Sequence, residues 1–228
     1  MDGYIITLYP KDYDVVLFDL DGVLTKTAKV HAAAWKKLFD NFLQRYYSDI
    51  NQPFIPFNID NDYKLYVDGK SRYDGVTSFL NSRGIEIPFE NDEDNPEKVT
   101  VQALGKLKDV YFMEYLKNNG VEPYEEAIKL VSTLRNENIK TAVVSSSDNC
   151  AIVLETAGIA QLFDVRVDGI EIARLGLNGK PAPDAFLEAA RRLNTKPSRA
   201  VVVEDAIVGV EAGRAGKFGC VIGVDYNG

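Results

Sequence analysis

The sequence predicts an α/β fold in which an open, Rossmann-like parallel sheet carries an inserted α-helical domain. Short apolar runs rich in β-branched residues recur along the chain and are separated by segments of helical periodicity, the pattern of parallel strands joined by crossover helices. The predicted core strands cover residues 15–18, 139–144, 165–168, 200–203 and 220–224. No comparable run occurs between residues 27 and 118, so this stretch is predicted to be a helical insertion after the first strand.

The insertion is predicted to contain three helices. Large apolar side chains recur at helical spacing in two parts of it, and a third helix runs from about Thr100 to Asn118, ending at Asn119-Gly120. We interpret the aromatic side chains as packing, not as a cofactor site. The two sets are Trp35, Leu38, Phe39, Phe42, Leu43 and Tyr46, then Tyr73, Val76, Phe79 and Leu80.

Domain boundaries and loops follow from this pattern. We predict a catalytic core made of residues 1–28 and 119–228, and a cap made of residues 29–118. Residues 46–66 contain two prolines and are too long for a simple turn, which predicts an ordered loop. The acidic run at 90–94 is most simply a solvated loop.

Composition restricts the class of protein. The chain has 228 residues, 46% of them hydrophobic, enough for one large or two modest domains with a substantial core. A net charge of −8 argues against binding to nucleic acid or to acidic membranes, so a phosphate site would have to be locally basic. The N-terminal residues show neither a signal peptide nor a membrane span. Cys150 and Cys220 lack metal-binding spacing, which favours a reducing, cytoplasmic setting. The sequence does not determine the oligomeric state, and we expect a monomer.

Two aspartates follow the first predicted strand. Asp19 and Asp21 lie two residues apart just past residues 15–18, and on extended backbone their side chains point to the same side. Two neighbouring carboxylates favour a cation or a proton between them, and oxygen ligands suit magnesium. By itself an Asp-x-Asp-Gly sequence is more often a polar turn after a strand.

Three further polar positions follow other predicted strands or precede a helix. Ser145 alone would be a helix N-cap, and Lys180, before Pro181-Ala182-Pro183, would be a solvated charge. The pair Glu204-Asp205 requires a cation or begins a helix. A phosphoryl group in transfer needs a metal, a hydroxyl and an ammonium, and these positions provide all three.

These motifs resemble those of the haloacid dehalogenase-like (HAD) superfamily, within its β-phosphoglucomutase-like branch, from about residue 14 to 224. The resemblance implies that Asp19 is the nucleophile that forms an aspartyl-phosphate and that Asp21 is the general acid and base. It implies Mg²⁺ bound by Asp19, Asp205 and the backbone carbonyl of Asp21, with help from Glu204. The phosphoryl oxygens would be bound by Ser145, Lys180 and backbone amides after Asp19 and Ser145.

The resemblance also implies substrate-binding residues. Four lie in or next to the insertion: Thr27, His31, Arg72 and Lys108. Three follow the catalytic serine: Ser146, Ser147 and Asn149. Judged alone, the single histidine of the chain would be a partly buried ring and Lys108 an exposed helix residue. The chain departs from the branch at Asp148, where the branch has a lysine, and at Lys26 and Lys29, where it has acids.

The predicted function is Mg²⁺-dependent phosphoryl transfer on a sugar phosphate. A mutase that converts β-glucose 1-phosphate to glucose 6-phosphate through a bisphosphorylated sugar is favoured by Arg72 and His31. A phosphatase acting on a small sugar phosphate is favoured by Asp148 and by the loop near Tyr46. A binding or regulatory protein without catalysis is the third alternative, and the complete polar set speaks against it.

Overall fold

The computed structural model describes residues 8, 9, 11–90 and 99–226. The described chain forms two compact units. The first contains the described residues up to Thr25 together with those from Pro123 onward, and the second runs from Lys26 to Glu122. Of the acidic run at 90–94, only Glu90 lies within the described residues.

The first unit contains a sheet of five parallel strands in the order β3-β2-β1-β4-β5. The fold class predicted from the apolar runs is therefore confirmed, and each strand begins and ends within one residue of its prediction. The strands are β1 Val15–Phe18, β2 Lys140–Val144, β3 Val165–Val167, β4 Ala200–Glu204 and β5 Cys220–Gly223.

Helices occupy most of the remaining described chain. The second unit contains α1 Thr27–Asp49, α2 Arg72–Ser82 and α3 Val101–Asn119, and the first unit contains α4 Glu125–Asn136, α5 Cys150–Thr156, α6 Gly169–Leu175, α7 Asp184–Arg192 and α8 Ile207–Ala215. Among the described helices, none is long and apolar enough to span a membrane.

The central strands are buried because helices pack against the sheet. All residues of β1 and β4 are buried, whereas β5 lies at the edge and is only partly buried. Helix α7 packs against β1, β2 and β3 through a buried face that includes Phe186. Strand β1 has no polar residue, and β4 has one only at its last position. The polar residues near these two strands therefore lie where the strands end, at the carboxyl edge of the sheet.

An aromatic core holds the second unit together. Phe39 lies next to Trp35, Phe57 and Phe79, with ring centroids 4.2–5.2 Å apart. The three predicted helices are present. Ser71 and Thr100 accept hydrogen bonds as the N-caps of α2 and α3.

The prediction of a loop at 46–66 is wrong at both ends. Helix α1 continues to Asp49, and residues Ile59–Val67 form a π-helix. Asn58 caps the π-helix through its side chain, and Asp62 forms a 2.8 Å ion pair with Arg83, the residue that follows α2. This cap and this long-range ion pair order a segment whose prolines had suggested irregular structure.

Candidate active site

Register in the sheet brings Asp19 and Glu204 to the same edge. Phe18 at the end of β1 is paired with Val203 of β4, and the residues that follow are Asp19 and Glu204. The amide of Asp19 donates to the carbonyl oxygen of Val203 at 2.9 Å. Both side chains are buried, Glu204 completely. Two acids from distant parts of the chain therefore lie in one water-poor place.

Lys180 lies between these two acids. Its ammonium donates to Asp19 Oδ1 at 2.5 Å and to Glu204 Oε1. The lysine is buried, so its interpretation as a solvated charge is wrong. Burial by itself lowers the pKa of Lys180, but the charges of Asp19 and Glu204 outweigh it and raise that pKa above its usual value. The ammonium therefore stays charged.

Asp19 experiences opposing influences. Burial raises its pKa, the charge of Lys180 lowers it, and the charges of Glu204 and Asp21 raise it again. The net direction is a pKa well above the ordinary value of an aspartate. One lysine does not balance the acids around Asp19, so a second positive charge at this place would favour its ionised form.

Three carboxylates are close enough to share such a charge. Asp19, Glu204 and Asp205 each present an oxygen within 4.8 Å of the others. Gly22 packs against this cluster at a φ of 87°, and a Cβ on it would lie 1.9 Å from Asp205 Oδ2. Hard oxygen ligands in a buried, acid-rich cluster suit a divalent cation. The arrangement fits the acidic half of the predicted metal set. The predicted role of Asp21, through its backbone carbonyl, stays a prediction.

The loop that carries Asp21 is closed by its own hydrogen bonds. Gly22 donates to the carbonyl oxygen of Thr25 at 2.8 Å, and the amide and hydroxyl of Thr25 both donate to the carbonyl oxygen of Leu20. Asp21 itself is partly exposed, unlike Asp19. A partly exposed carboxyl beside a buried one can exchange protons while its neighbour holds a fixed position.

The serine loop follows β2 at the same edge. Ser145 is buried, its amide donates to the carbonyl oxygen of Val167 at 3.0 Å, and its Oγ accepts from the amide of Ser147. Ser145 is not an N-cap, because α5 begins only after Asn149. Its bond to Ser147 instead bends the loop that contains Ser146, Ser147 and Asn149.

Asp148 of this loop lies against the start of α6. A Cβ on Gly169 would come within 2.2 Å of Asp148 Oδ1. Glycine at this position therefore lets the loop pack directly on the helix. The carboxylate stands where the related branch has a lysine, so this loop contributes a negative charge in place of a positive one.

Thr27, His31, Arg72 and Lys108 lie in the second unit. Thr27 begins α1 and is buried. Lys108 Nζ donates to His31 Nδ1 at 2.6 Å, and His31 stacks on Phe112 with a centroid separation of 4.1 Å. The interpretation of Lys108 as an exposed helix residue is wrong, because it is buried over the aromatic rings of Trp35 and Phe112.

Arg72 is the first residue of α2 and is half-buried. Its Nη1 lies 3.1 Å from Asp109 Oδ2 of α3. The pairing with Asp109 orients the guanidinium of Arg72. Lys26 forms an ion pair with Glu122, whereas Lys29 is exposed.

Sequence reasoning did not single out two features of the carboxyl edge. Asp168 follows β3, is buried, pairs with Arg166 at 2.7 Å and accepts from the amide of Glu171. Glu204 was predicted only as a metal ligand, yet it also holds Lys180 and accepts from the amide of Ala206 at 2.7 Å. An acid at the end of the predicted strand 165–168 was the available signal for Asp168.

The parallel sheet and the acidic residues at its carboxyl edge are typical of proteins that transfer phosphoryl groups. Sequence comparison agrees with this class. The family model for haloacid dehalogenase-like hydrolases matches residues 13–217, so the chain belongs to that family. The predicted class of enzyme, a phosphotransferase or phosphatase of this family, is thereby confirmed.

Two relatives and one solved structure show which branch of the family this chain resembles. A protein of Mycobacterium tuberculosis named β-phosphoglucomutase is 42% identical over 96% of this chain and 84% of its own length. One of the same name from Bacillus subtilis is 34% identical over 91% of this chain and 82% of its own length. The crystal structure of β-phosphoglucomutase from Clostridium difficile superposes with a TM-score of 0.72 at 25% identity, covering 94% of this chain and 86% of that one. The predicted resemblance to this branch is confirmed.

Proposed function

We propose that this protein is a Mg²⁺-dependent β-phosphoglucomutase that interconverts β-glucose 1-phosphate and glucose 6-phosphate. The observation that carries the proposal is the buried triplet of Asp19, Lys180 and Glu204, with Asp205 beside it. This geometry holds a carboxylate nucleophile in a fixed position next to the positive charge of Lys180. The remaining acidic side chains can bind a second positive charge. The names of the 42% and 34% identical relatives support the choice of reaction.

The first chemical step belongs to Asp19. Its Oδ attacks the phosphorus of a sugar bisphosphate, the bond from phosphorus to the sugar oxygen breaks, and Asp21 gives its proton to that leaving oxygen. The second step reverses the roles. A different sugar hydroxyl gives its proton to Asp21 and attacks the aspartyl-phosphate, which returns Asp19 to its starting state.

Charge at the transferring phosphoryl group is balanced by residues of this chain. The ammonium of Lys180, the hydroxyl of Ser145 and the amides after Asp19 and Ser145 bind its oxygens. Asp19, Asp205, the carbonyl of Asp21 and Glu204 would hold Mg²⁺, which neutralises developing negative charge on the phosphoryl oxygens when bound. Lys180 also keeps Asp19 and Glu204 from repelling each other.

Substrate recognition is proposed for the second unit and for the serine loop. We assign the phosphate that is not transferred to Arg72, because a guanidinium binds phosphate through two donors at once. Thr27, His31 and Lys108 would bind the sugar, and the ordered contact of His31 with Lys108 fixes the direction of the imidazole. Ser146, Ser147 and Asn149 would complete the phosphate contacts. We further place the protein in the cytoplasm, since both of its cysteines are free thiols.

A phosphatase that hydrolyses a small sugar phosphate is the second candidate function. The observation that favours it is Asp148 in the loop after Ser145. This residue gives the loop a negative charge at the position where the related branch has the positive charge of a lysine. A substrate phosphate near this loop would then be bound less well. Weaker retention of a bisphosphate would let water reach the aspartyl-phosphate more often.

One assay separates the two functions. The protein is supplied with Mg²⁺, β-glucose 1-phosphate and trace β-glucose 1,6-bisphosphate, and both glucose 6-phosphate and free phosphate are measured. Glucose 6-phosphate without free phosphate supports the mutase, and mainly free phosphate supports the phosphatase. Asp19→Asn should abolish either product, whereas Asp12→Asn, an exposed aspartate before β1, should not. Full Mg²⁺-dependent turnover by Asp19→Asn would disprove the mechanism.

A further inference from the structure

Residues 224–226, here called the C-terminal strap, are attached to the end of β4. The amide of Val224 donates to the carbonyl oxygen of Glu204 at 2.7 Å, one step beyond the last strand pair between Glu204 and Gly223. The strap therefore starts at the backbone that carries two of the candidate metal ligands, Glu204 and Asp205.

The other end of the strap reaches a tyrosine outside the sheet. The ring of Tyr226 stacks on the ring of Tyr124, with a centroid separation of 3.9 Å and an interplanar angle of 10°. Two aromatic rings stacked in this way bury apolar surface against each other. The strap is therefore held at both of its ends.

Tyr124 is in turn attached to the loop that carries Asp21. Its amide donates to the carbonyl oxygen of Leu24 at 2.9 Å, and its neighbour Pro123 forms a β-bridge with Thr25. The same loop packs on Asp205 through Gly22. Contacts thus connect the end of β4 to the strap, the strap to Tyr124, and Tyr124 to the loop of Asp21. The contact of Gly22 with Asp205 connects this loop to the end of β4 again.

We propose that Tyr226 and Tyr124 are positioning residues that set the spacing between the aspartate loop, residues 20–25, and the acids at the end of β4. The two halves of the candidate metal site come from these two places. Tyr226 and Tyr124 act on the ligands through the backbone of Glu204 and of Leu24. The inference rests on the proposed function only in naming Mg²⁺ as the cation.

The test compares Tyr226→Ala with Tyr226→Phe in the full chain. Mg²⁺ binding is measured by calorimetry on protein freed of metal, and hydrogen exchange is measured for the amides of residues 20–25. Tyr226→Ala should weaken Mg²⁺ binding about fivefold, the size of effect expected from losing one aromatic pair, and should speed exchange in the loop. Tyr226→Phe keeps the ring stack and should behave as the wild type in both measurements.

A matched control separates positioning from a general loss of stability. Tyr115 on α3 is 43% exposed and Tyr226 is 44% exposed, so Tyr115→Ala removes a similar ring from the other unit and should change neither measurement. In assays of glucose 6-phosphate formation, Tyr226→Ala should raise the Mg²⁺ concentration that gives half of the maximal rate. The kcat at saturating Mg²⁺ should stay nearly unchanged.

Two results would overturn the inference. One is unchanged exchange at residues 20–25 in Tyr226→Ala, and the other is an equal loss in Tyr226→Phe. If the wild type bound no Mg²⁺ at all, the magnesium requirement in the proposed function would fail. The exchange measurement would still decide the role of the strap, because it needs no metal.

Discussion

Lys180 and Asp19 form an ion pair of 2.5 Å in which the side chains are only 2% and 7% exposed. The same ammonium contacts Glu204, whose side chain is fully buried. One positive charge is therefore shared by two negative charges where little water screens them. Asp205 adds a third acid nearby. The excess of negative charge at this edge of the sheet is the physical reason to expect a bound cation.

Removal of Lys180 should destabilise the protein as well as inactivate it. Lys180→Met leaves Asp19 and Glu204 buried without their cation, which should lower the free energy of unfolding by about 3 kcal/mol at neutral pH without metal. Urea unfolding measures the change. Lys196→Met removes an exposed lysine and should cost less than about 0.5 kcal/mol. A loss below about 1 kcal/mol for Lys180→Met would contradict the burial of this charge cluster.

Gly22→Ala should displace Asp205 and weaken the cation site. The added Cβ would lie 1.9 Å from Asp205 Oδ2, and the φ of 87° is unfavourable for alanine. Gly176→Ala is the matched control, since Gly176 has a φ of 63° but open space around its Cβ position. Both variants should lose about 1 kcal/mol of stability from the backbone conformation. Only Gly22→Ala should also lose Mg²⁺ affinity in calorimetry, and equal affinity in the two variants would be the contrary result.

A surface network predicts loss of stability in acid. Hydrogen bonds from Arg174 and Arg192 lower the pKa of Glu171 to about 2, and those from Arg191 and Arg192 lower the pKa of Glu188 to about 2. Because these pKa values lie below the ordinary 4.5 of a glutamate, the stabilisation is complete above pH 4.5 and is lost as the pH falls towards 2.

Arg192→Met tests this dependence because Arg192 bonds to both glutamates. The variant should be less stable than the wild type at pH 7, and the difference should shrink as the pH falls from 4.5 towards 2. Thermal unfolding across this range measures it. Arg214→Met, at an exposed position of α8, should give a small difference that does not vary with pH. A constant difference for Arg192→Met would exclude the linkage.

The centre of the sheet was predictable because strands β1 and β4 are buried on both faces. The run 15–18 contains no polar position, and Asp19 and Ser145 directly follow β1 and β2, whereas Glu204 is the last residue of β4. The π-helix at Ile59–Val67 was not predictable, because its order depends on contacts such as that of its Asp62 with Arg83, the residue that follows α2. Local pattern contains no information about such partners.

The site also contains features that the sequence predicts and features that depend on long-range contacts. The identity of the polar residues followed from the motifs, but the burial of Lys180 did not, since its partners lie 161 and 24 residues away in the chain. Tyr226 also gave no signal, because one tyrosine after a strand is unremarkable until Tyr124 is seen beneath it. Long-range pairing therefore decides which predicted site residues are paired and buried.

His31 should carry the proton of its imidazole on Nε2 and not on Nδ1. A protonated Lys108 has only donors, so the Nδ1 that it approaches at 2.6 Å must be an acceptor and the ring proton must lie on Nε2. The chain has one histidine, so ¹⁵N-detected imidazole correlations give a single pattern. Lys108→Met should shift that pattern towards a mixture of tautomers, whereas Lys106→Met, an exposed neighbour on α3, should not. A proton on Nδ1 in the wild type would contradict the contact.

Asp148→Lys should move the enzyme towards mutase activity. The substitution replaces a negative charge in the loop after Ser145 with a positive one, which favours retention of a phosphate that is not being transferred. We expect the KM for β-glucose 1,6-bisphosphate to fall about tenfold and the ratio of glucose 6-phosphate to free phosphate to rise. Glu155→Lys makes the same change of charge at an exposed position of α5 and should leave both values near those of the wild type. An unchanged product ratio in Asp148→Lys would mean that this loop does not face the retained phosphate. Equal effects of the two variants would indicate a general effect of net charge.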